Sequence, residues 1–346
     1  MRILITADPM IPVPPKGYGG IERIVDSLLR EYRAAGHTVG LLAHPASTAS
    51  ADLRFGWPAA APGTLRNALA LRRAARTFRP DVIHSFSRLA YLLPVLPSPQ
   101  PVVMSYQRHT GGIQVAFAAR LGGRTLRFTG CSEFICRMGR RAGGAWHAIP
   151  NFVELEKFDF VPTVASDAPL VFLSRLDDIK GPDVAIAIAR AAKRRLILAG
   201  NRDESGPQRA FFDREIAPHL DRDGIEWIGE VDDTAKNKLL GQAAALLVPI
   251  RWEEPFGIVF SEALACGTPV VSCPRGALTE IVQPGRTGFL IESAEDGARA
   301  VADLASIDRA QCRRSVEHSF TSHAVAQRYL ELASSLTGHD ISLARS

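Results

Sequence analysis

Short apolar runs and amphipathic helical stretches alternate along this chain twice over, with one aperiodic stretch between the two series. In the first series the runs 2–7, 38–43, 81–86, 101–106, 126–130 and 145–149 read as strands, and 20–35, 63–78, 87–95, 110–121 and 132–142 as helices. Residues 151–168, with Pro162, Ser166 and Asp167, keep no period and read as a linker. Strand patterns then restart at 170–174, 195–199, 225–228, 244–248, 269–272 and 288–291, again with helices between. Strands separated by helices make parallel sheets covered on both faces. With 346 residues, each series has enough chain for its own core. The expected fold class is α/β, with two Rossmann-like domains. A last helical pattern runs from Ser322 to about Leu336 and carries Val325, Tyr329, Leu330 and Leu332.

Composition narrows the class of protein further. A hydrophobic share of 46% and a charged share of 22% belong to a soluble globular chain. No apolar run approaches the roughly 20 residues that span a bilayer. The start, Met1 to Ala7, reads as a strand followed by Asp8 and prolines, without the apolar region of a signal peptide, so a cytoplasmic location is expected. The five cysteines lack metal-ligand spacing and read as free thiols. A net charge of +5 suits an anionic substrate or an anionic membrane surface, and equally nucleic acid, although no nucleic-acid partner is expected.

The stretch from Glu253 to Val271 carries the chemistry. It sets Glu254 and Glu262 on either side of Phe256-Gly257, a turn that opens a helix. Free N–H groups of Ile258 and Val259 at that helix start, with the helix dipole behind them, form an anion seat suited to a phosphate. One carboxylate can then meet the group attached to the phosphates while the other accepts from hydroxyls beyond them. A nucleotide-sugar has that shape. A pair of solvated glutamates at a helix start is the other reading of the spacing.

The segment resembles the donor-binding motif of the family-4 retaining glycosyltransferases, in which two glutamates are separated by seven residues. The likeness continues through Gly267-Thr268-Pro269-Val270-Val271, Gly276-Ala277, Glu280-Ile281-Val282 and Gly285-Arg286-Thr287-Gly288-Phe289-Leu290. It implies a GT-B architecture: an acceptor domain over 1–165, a nucleotide-sugar domain over 166–320, and a helix over 321–337 crossing back to the first domain. The two domains would face each other across a cleft. The implied reaction moves a sugar from a nucleoside diphosphate donor, UDP being commonest, to an acceptor hydroxyl on a polysaccharide, lipid or small molecule. Neither a cofactor nor a metal is expected, since Asp177-Asp178 and Asp232-Asp233 lack supporting ligands.

Residue by residue, the resemblance assigns Glu262 to the ribose and Glu254 to the donor-sugar hydroxyls. Arg175 and Lys180, in Ser174-Arg175-Leu176-Asp177-Asp178-Ile179-Lys180-Gly181, match the family's phosphate-binding element, with Ser174 where the family has Gly. Their charge would stabilise the departing diphosphate. Gly19 and Gly20 match a Gly-Gly-x-Glu loop that lies against the β-phosphate and the acceptor, and Gly229 and Val231 match the turn that holds the base. The family's sugar-contacting His falls on Gln107 by count, with His109 two residues on, so either can fill that role. His84 ends a strand, as a loop-orienting or a structural histidine. Asn151 matches a family Asn, but Phe152-Val153-Glu154 stands where relatives have Gly-Val-Asp.

An epimerase acting on nucleotide-sugars and an inactive homologue are the alternatives. Finally, Arg66, Arg72, Arg73, Arg76 and Arg79 lie among alanines and leucines. A basic amphipathic helix can make weak peripheral contact with the inner face of a membrane, although a solvated Arg-rich face is the commoner use of such a pattern.

Overall fold

A computed structural model describes residues 1–17, 19–58, 63–110 and 112–339. It resolves into two compact units.

The first unit begins β1 (Arg2–Thr6), α1 (Gly20–Ala34), β2 (Thr38–Ala43), β3 (Leu53–Gly56), α2 (Thr64–Phe78), β4 (Val82–Ser85) and α3 (Leu89–Leu92). It continues with β5 (Val102–Tyr106), α4 (Gly112–Gly122), β6 (Leu126–Gly130), α5 (Glu133–Arg140) and β7 (Trp146–Ala148). All seven strands are parallel, in the order β3-β2-β1-β4-β5-β6-β7. Strands buried on both faces carry continuous aliphatic runs such as Ile3-Leu4-Ile5. β3 escaped the sequence reading. It is an edge strand, mostly exposed, and its residues Leu53-Arg54-Phe55-Gly56 show no apolar run. The helix expected over 87–95 shrinks to the four residues of α3, because Pro94 cannot continue it.

The second unit holds β8 (Leu170–Leu173), α6 (Pro182–Ala191), β9 (Leu196–Ala199), α7 (Gly206–Phe211), β10 (Ile225–Trp227), α8 (Asp233–Gln242) and β11 (Ala245–Val248). Then follow α9 (Ile258–Ala265), β12 (Val270–Ser272), α10 (Leu278–Ile281), β13 (Gly288–Leu290), α11 (Ala294–Ala302) and α12 (Arg309–Ser319). Its six parallel strands run β10-β9-β8-β11-β12-β13. The sheet is doubly wound: from β8 the chain moves outward through β9 to β10, then returns to β11 on the other side. The loops after β8 and β11 therefore diverge and leave a crevice at their C-terminal ends, where ligands bind in such sheets.

The last helix, α13 (Ser322–Thr337), belongs to the first unit and packs on α1 and β4. The Tyr329 ring packs tilted against His84 at 4.4 Å, and Ser322 Oγ donates to Glu31 at 2.7 Å. His84 lies at the centre of a buried polar chain. Tyr32 meets its Nδ1 at 3.1 Å and Ser105 its Nε2 at 2.8 Å, while Ser105 also meets Thr129 at 2.7 Å. Burial without a counter-charge lowers the His84 pKa to about 3, so the ring is neutral.

The boundary between units falls at Asn151/Phe152, so residues 152–165, expected in the first domain, pack with the second. Val153 N–H donates to Phe320 O at 2.9 Å and Val161 N–H to Cys266 O at 3.0 Å, while Arg309 Nε donates to Val161 O at 2.7 Å. These hydrogen bonds satisfy backbone that lies outside the segment's one short 3-10 turn, Leu155–Lys157.

Candidate active site

The crevice at the ends of β8 and β11 brings together two of the expected site residues from distant parts of the chain. Lys180 closes a short 3-10 turn (Asp178–Lys180) in the loop after β8. Glu254 lies in the loop after β11. Lys180 Nζ donates to Glu254 Oε2 at 2.8 Å, and both side chains are largely buried. Trp252, absent from the sequence reading, joins them: its Nε1 donates to the same Oε2 at 3.0 Å, and its ring lies 4.5 Å beneath the ammonium. Nothing in the spacing of the sequence marks Trp252, because its partner Lys180 is far away along the chain.

The loop carrying Glu254 is clamped from behind. Ala277 N–H donates to Glu254 O at 2.8 Å, and Gly276 N–H to Glu253 Oε2 at 2.5 Å. Gly276 has φ 57, and a Cβ there would stand 2.2 Å from Glu254 O. Only glycine meets both demands. Gly257, at φ 80, is the residue before α9. A Cβ on it would strike the Phe260 ring at 2.5 Å, so the turn into the helix also depends on a missing side chain. Phe256 is buried and packs edge-on against Phe320 at 5.7 Å, which makes it an anchor for the loop. Behind this anchor α9 opens, and the N–H groups of Ile258 and Val259 are the first of the helix, which the helix itself leaves without acceptors. Phe260 N–H is already taken by Gly257 O at 3.1 Å.

Glu262 lies one turn into α9 and meets a second cation that the sequence reading missed. Lys236 of α8 donates to Glu262 Oε1 at 2.7 Å and pairs with Asp233 at 3.3 Å. Burial alone would lower the Lys236 pKa, but the Glu262 and Asp233 carboxylates outweigh it and hold it above the usual lysine value. Only a view of α8 packed beside α9 shows this pair.

Arg175 sits more than half exposed in the loop after β8 and pairs with buried Asp177 at 2.8 Å. The neighbouring acids are similarly occupied: Asp178 accepts from Gln208 at 2.9 Å, and Asp232 caps α8 through Ala235 N–H at 2.8 Å. Gly229 (φ 75) and Val231 lie just past β10, on the same sheet edge. Gly229 O accepts from Gly200 N–H at 2.7 Å, which ties that turn to the loop after β9.

In the first unit, Gly19 and Gly20 form the entrance to α1, and Gly19 backs onto Pro15 and Glu22. Glu22 is buried, and this raises its carboxyl pKa. His109 is exposed in the loop after β5, edge-on to Phe134 at 5.4 Å. Gln107, the first residue past β5, differs: both atoms of its amide are enclosed and have no hydrogen-bond partner among the described residues.

Two doubly wound parallel-sheet units, the second with a cation and an acid paired at its switch point, define a protein of the GT-B fold class. The chain belongs to the family-4 glycosyltransferases. Residues 18–157 match the Glycosyltransferase Family 4 model and 156–318 the Glycosyl transferases group 1 model. Among similar proteins, D-inositol 3-phosphate glycosyltransferase 2 of Catenulispora acidiphila is 36% identical over 149 residues, which cover 40% of this chain and 35% of that protein. The chain thus spans about a third of the length of that relative. AviGT4, a solved glycosyltransferase involved in avilamycin A biosynthesis, has a TM-score of 0.72 at 27% identity and is covered over 98% of both chains. Anabaena HepE, solved with UDP-glucose, has a TM-score of 0.71 at 20% identity, over 97% of this chain and 100% of that one. At that identity it supports the fold alone.

Proposed function

We infer that this protein transfers a sugar from a nucleoside diphosphate donor to an acceptor hydroxyl, with retention at the anomeric carbon. The observation that carries the reading is the Lys180–Glu254–Trp252 cluster at the switch point of the second sheet, beside the open N-terminus of α9. Lys180 and Arg175 supply cations for the diphosphate, and Ile258 and Val259 supply N–H donors. Glu262 is assigned to the ribose hydroxyls, with Lys236 holding its carboxylate in place. Gly229 and Val231 are assigned to the base. In the first unit, the Gly19-Gly20 loop is assigned to the donor phosphate and the acceptor.

Glu254 suits hydroxyl binding better than nucleophilic attack. Its Oε2 already accepts from both the ammonium and the indole, which spreads its charge and fixes its direction. The favoured chemistry is a same-face displacement: the anomeric carbon–phosphate oxygen bond breaks, the acceptor oxygen bonds to that carbon, and the acceptor proton passes to the leaving phosphate. UDP-sugars are the first donors to test, because the HepE neighbour is described with UDP-glucose.

The test is a panel of UDP-, GDP- and dTDP-sugars, read by nucleoside diphosphate release with and without added acceptors. Slow donor hydrolysis that disappears in Lys180→Met supports the reading. Conversion of a donor sugar without release of nucleoside diphosphate would point to an epimerase, and a donor that binds in calorimetric titration but is neither converted nor hydrolysed would point to an inactive sugar-nucleotide-binding homologue.

A further inference from the structure

A second groove, of about 680 Å³, lies in the first unit between the edge strand β3 and α2. It owes nothing to the donor reading. Its lining from α2 is Arg66, Leu69, Ala70, Arg73, Ala74 and Thr77, spaced as one face of a helix. β3 adds Arg54 and Phe55, and Leu42 contributes to the floor. The buried residues of α2 are Asn67, Ala68, Leu71, Ala74 and Phe78, a set that shares only Ala74 with the groove. The groove face is thus largely spared from holding the fold together.

Two features of that face call for a partner. The first is charge. α2 carries Arg66, Arg72, Arg73 and Arg76 and no acidic residue, and Arg79 follows at once. Among the described residues, Arg66 and Arg73 have no ion pair or hydrogen bond, whereas Arg54 is steadied by Thr48 O at 3.1 Å. The second is apolar exposure: Leu65 is 73% and Leu69 42% exposed, one turn apart beside the guanidiniums. Guanidiniums around an apolar floor, with leucines projecting next to them, match a phosphate headgroup above acyl chain. A nucleic acid would satisfy the arginines but leave the leucines in water.

We propose that the β3/α2 groove is a docking surface for an anionic phospholipid bilayer, with Arg54, Arg66 and Arg73 on headgroup phosphates and Leu65 and Leu69 in the acyl boundary. Guanidinium suits this role through its bidentate fit to phosphate. Apolar insertion and attraction to anionic lipid act together in such surfaces.

The test is flotation of the intact protein with phosphatidylcholine vesicles, and with the same vesicles containing phosphatidylglycerol, at physiological salt. Binding is expected to the anionic vesicles only. Arg66→Gln with Arg73→Gln should weaken it about 30-fold, the change that corresponds to about 1 kcal/mol for each basic side chain near the surface. Leu65→Ser with Leu69→Ser, at exposed positions, should weaken it at least about 10-fold while leaving melting temperature and donor binding unchanged. Failure to float with anionic vesicles overturns the proposal. So does a leucine variant that floats like the wild type, since that result describes a general polyanion patch.

Discussion

Removing the ammonium of Lys180 while leaving Glu254 in place should destabilise the second unit by about 3 kcal/mol. Glu254 is only 7% exposed, so its carboxylate has little water to turn to. Breaking a buried ion pair from one side costs about 3–5 kcal/mol, mostly because the remaining charge is stranded. The lower end applies here, because the indole of Trp252 still donates to Oε2 at 3.0 Å. Solvent screening earns little discount, since the two side chains are 14% and 10% exposed. Glu254→Gln should strand the ammonium in turn, cushioned by the Trp252 ring. The double variant, Lys180→Met with Glu254→Gln, removes both charges and should recover much of the loss, giving a coupling of about 2–3 kcal/mol. A chain of two units need not unfold in one step. The assay is therefore native-state hydrogen exchange read on the amides of β11 and α9. If the double variant loses the sum of the two singles, or if Lys180→Met costs under about 1 kcal/mol, the pair is not the desolvated clamp described above.

Three further outcomes follow from the structure. Glu262→Ala should weaken UDP binding about 10- to 100-fold, the range for losing hydrogen bonds to a charged group, and unchanged affinity in calorimetric titration would refute its ribose assignment. Gly276→Ala should cost at least about 2 kcal/mol, by left-handed strain and by forcing Glu254 O away, and a variant that melts and binds donor like the wild type would show that the Glu254 loop is not clamped there. Neutral His84 makes the first unit acid-sensitive: its folded pKa is about 3 against an ordinary 6.5, so the unfolded chain binds the extra proton between those values. Stability should therefore drop as the pH is lowered through that window, by about 2–3 kcal/mol from pH 7 to 4.5. His84→Asn should flatten this dependence in thermal melts of the first unit, and parallel pH curves for the two proteins would contradict it.

The legible parts of the molecule are those governed by local pattern. Leu170-Val171-Phe172-Leu173 announces a strand buried on both faces, and all four residues are buried in β8. Phe256-Gly257 announces a helix start, because the turn needs a positive φ that only glycine adopts freely. β3 was not legible, since an edge strand has one paired side and carries charge without an apolar run. Nor were Lys236 and Trp252 legible as site residues: Lys236 acts on a carboxylate of a different helix, and Trp252, although two residues from Glu254, joins the site through the Lys180 ammonium that the fold sets over its ring. The boundary at Asn151 was displaced for the same reason: residues 152–165 have no period, and only their hydrogen bonds to Phe320, Cys266 and Arg309 assign them to a unit.

By itself, the chain's order of residues determined the α/β class, the two sheets, the family, and the turn where Glu254 and Gly257 meet the start of α9. These depend on periodicity and on backbone demands that act within a few residues. Which charge answers which was decided only in three dimensions. Lys180 and Glu254 are 74 positions apart and Lys236 and Glu262 are 26 apart. Sheet winding brings the first pair to one switch point, and the packing of α8 beside α9 brings the second pair together. Coulomb attraction is strong at 2.8 Å out of water and negligible along an extended chain, so the electrostatics of this site came into being with the fold.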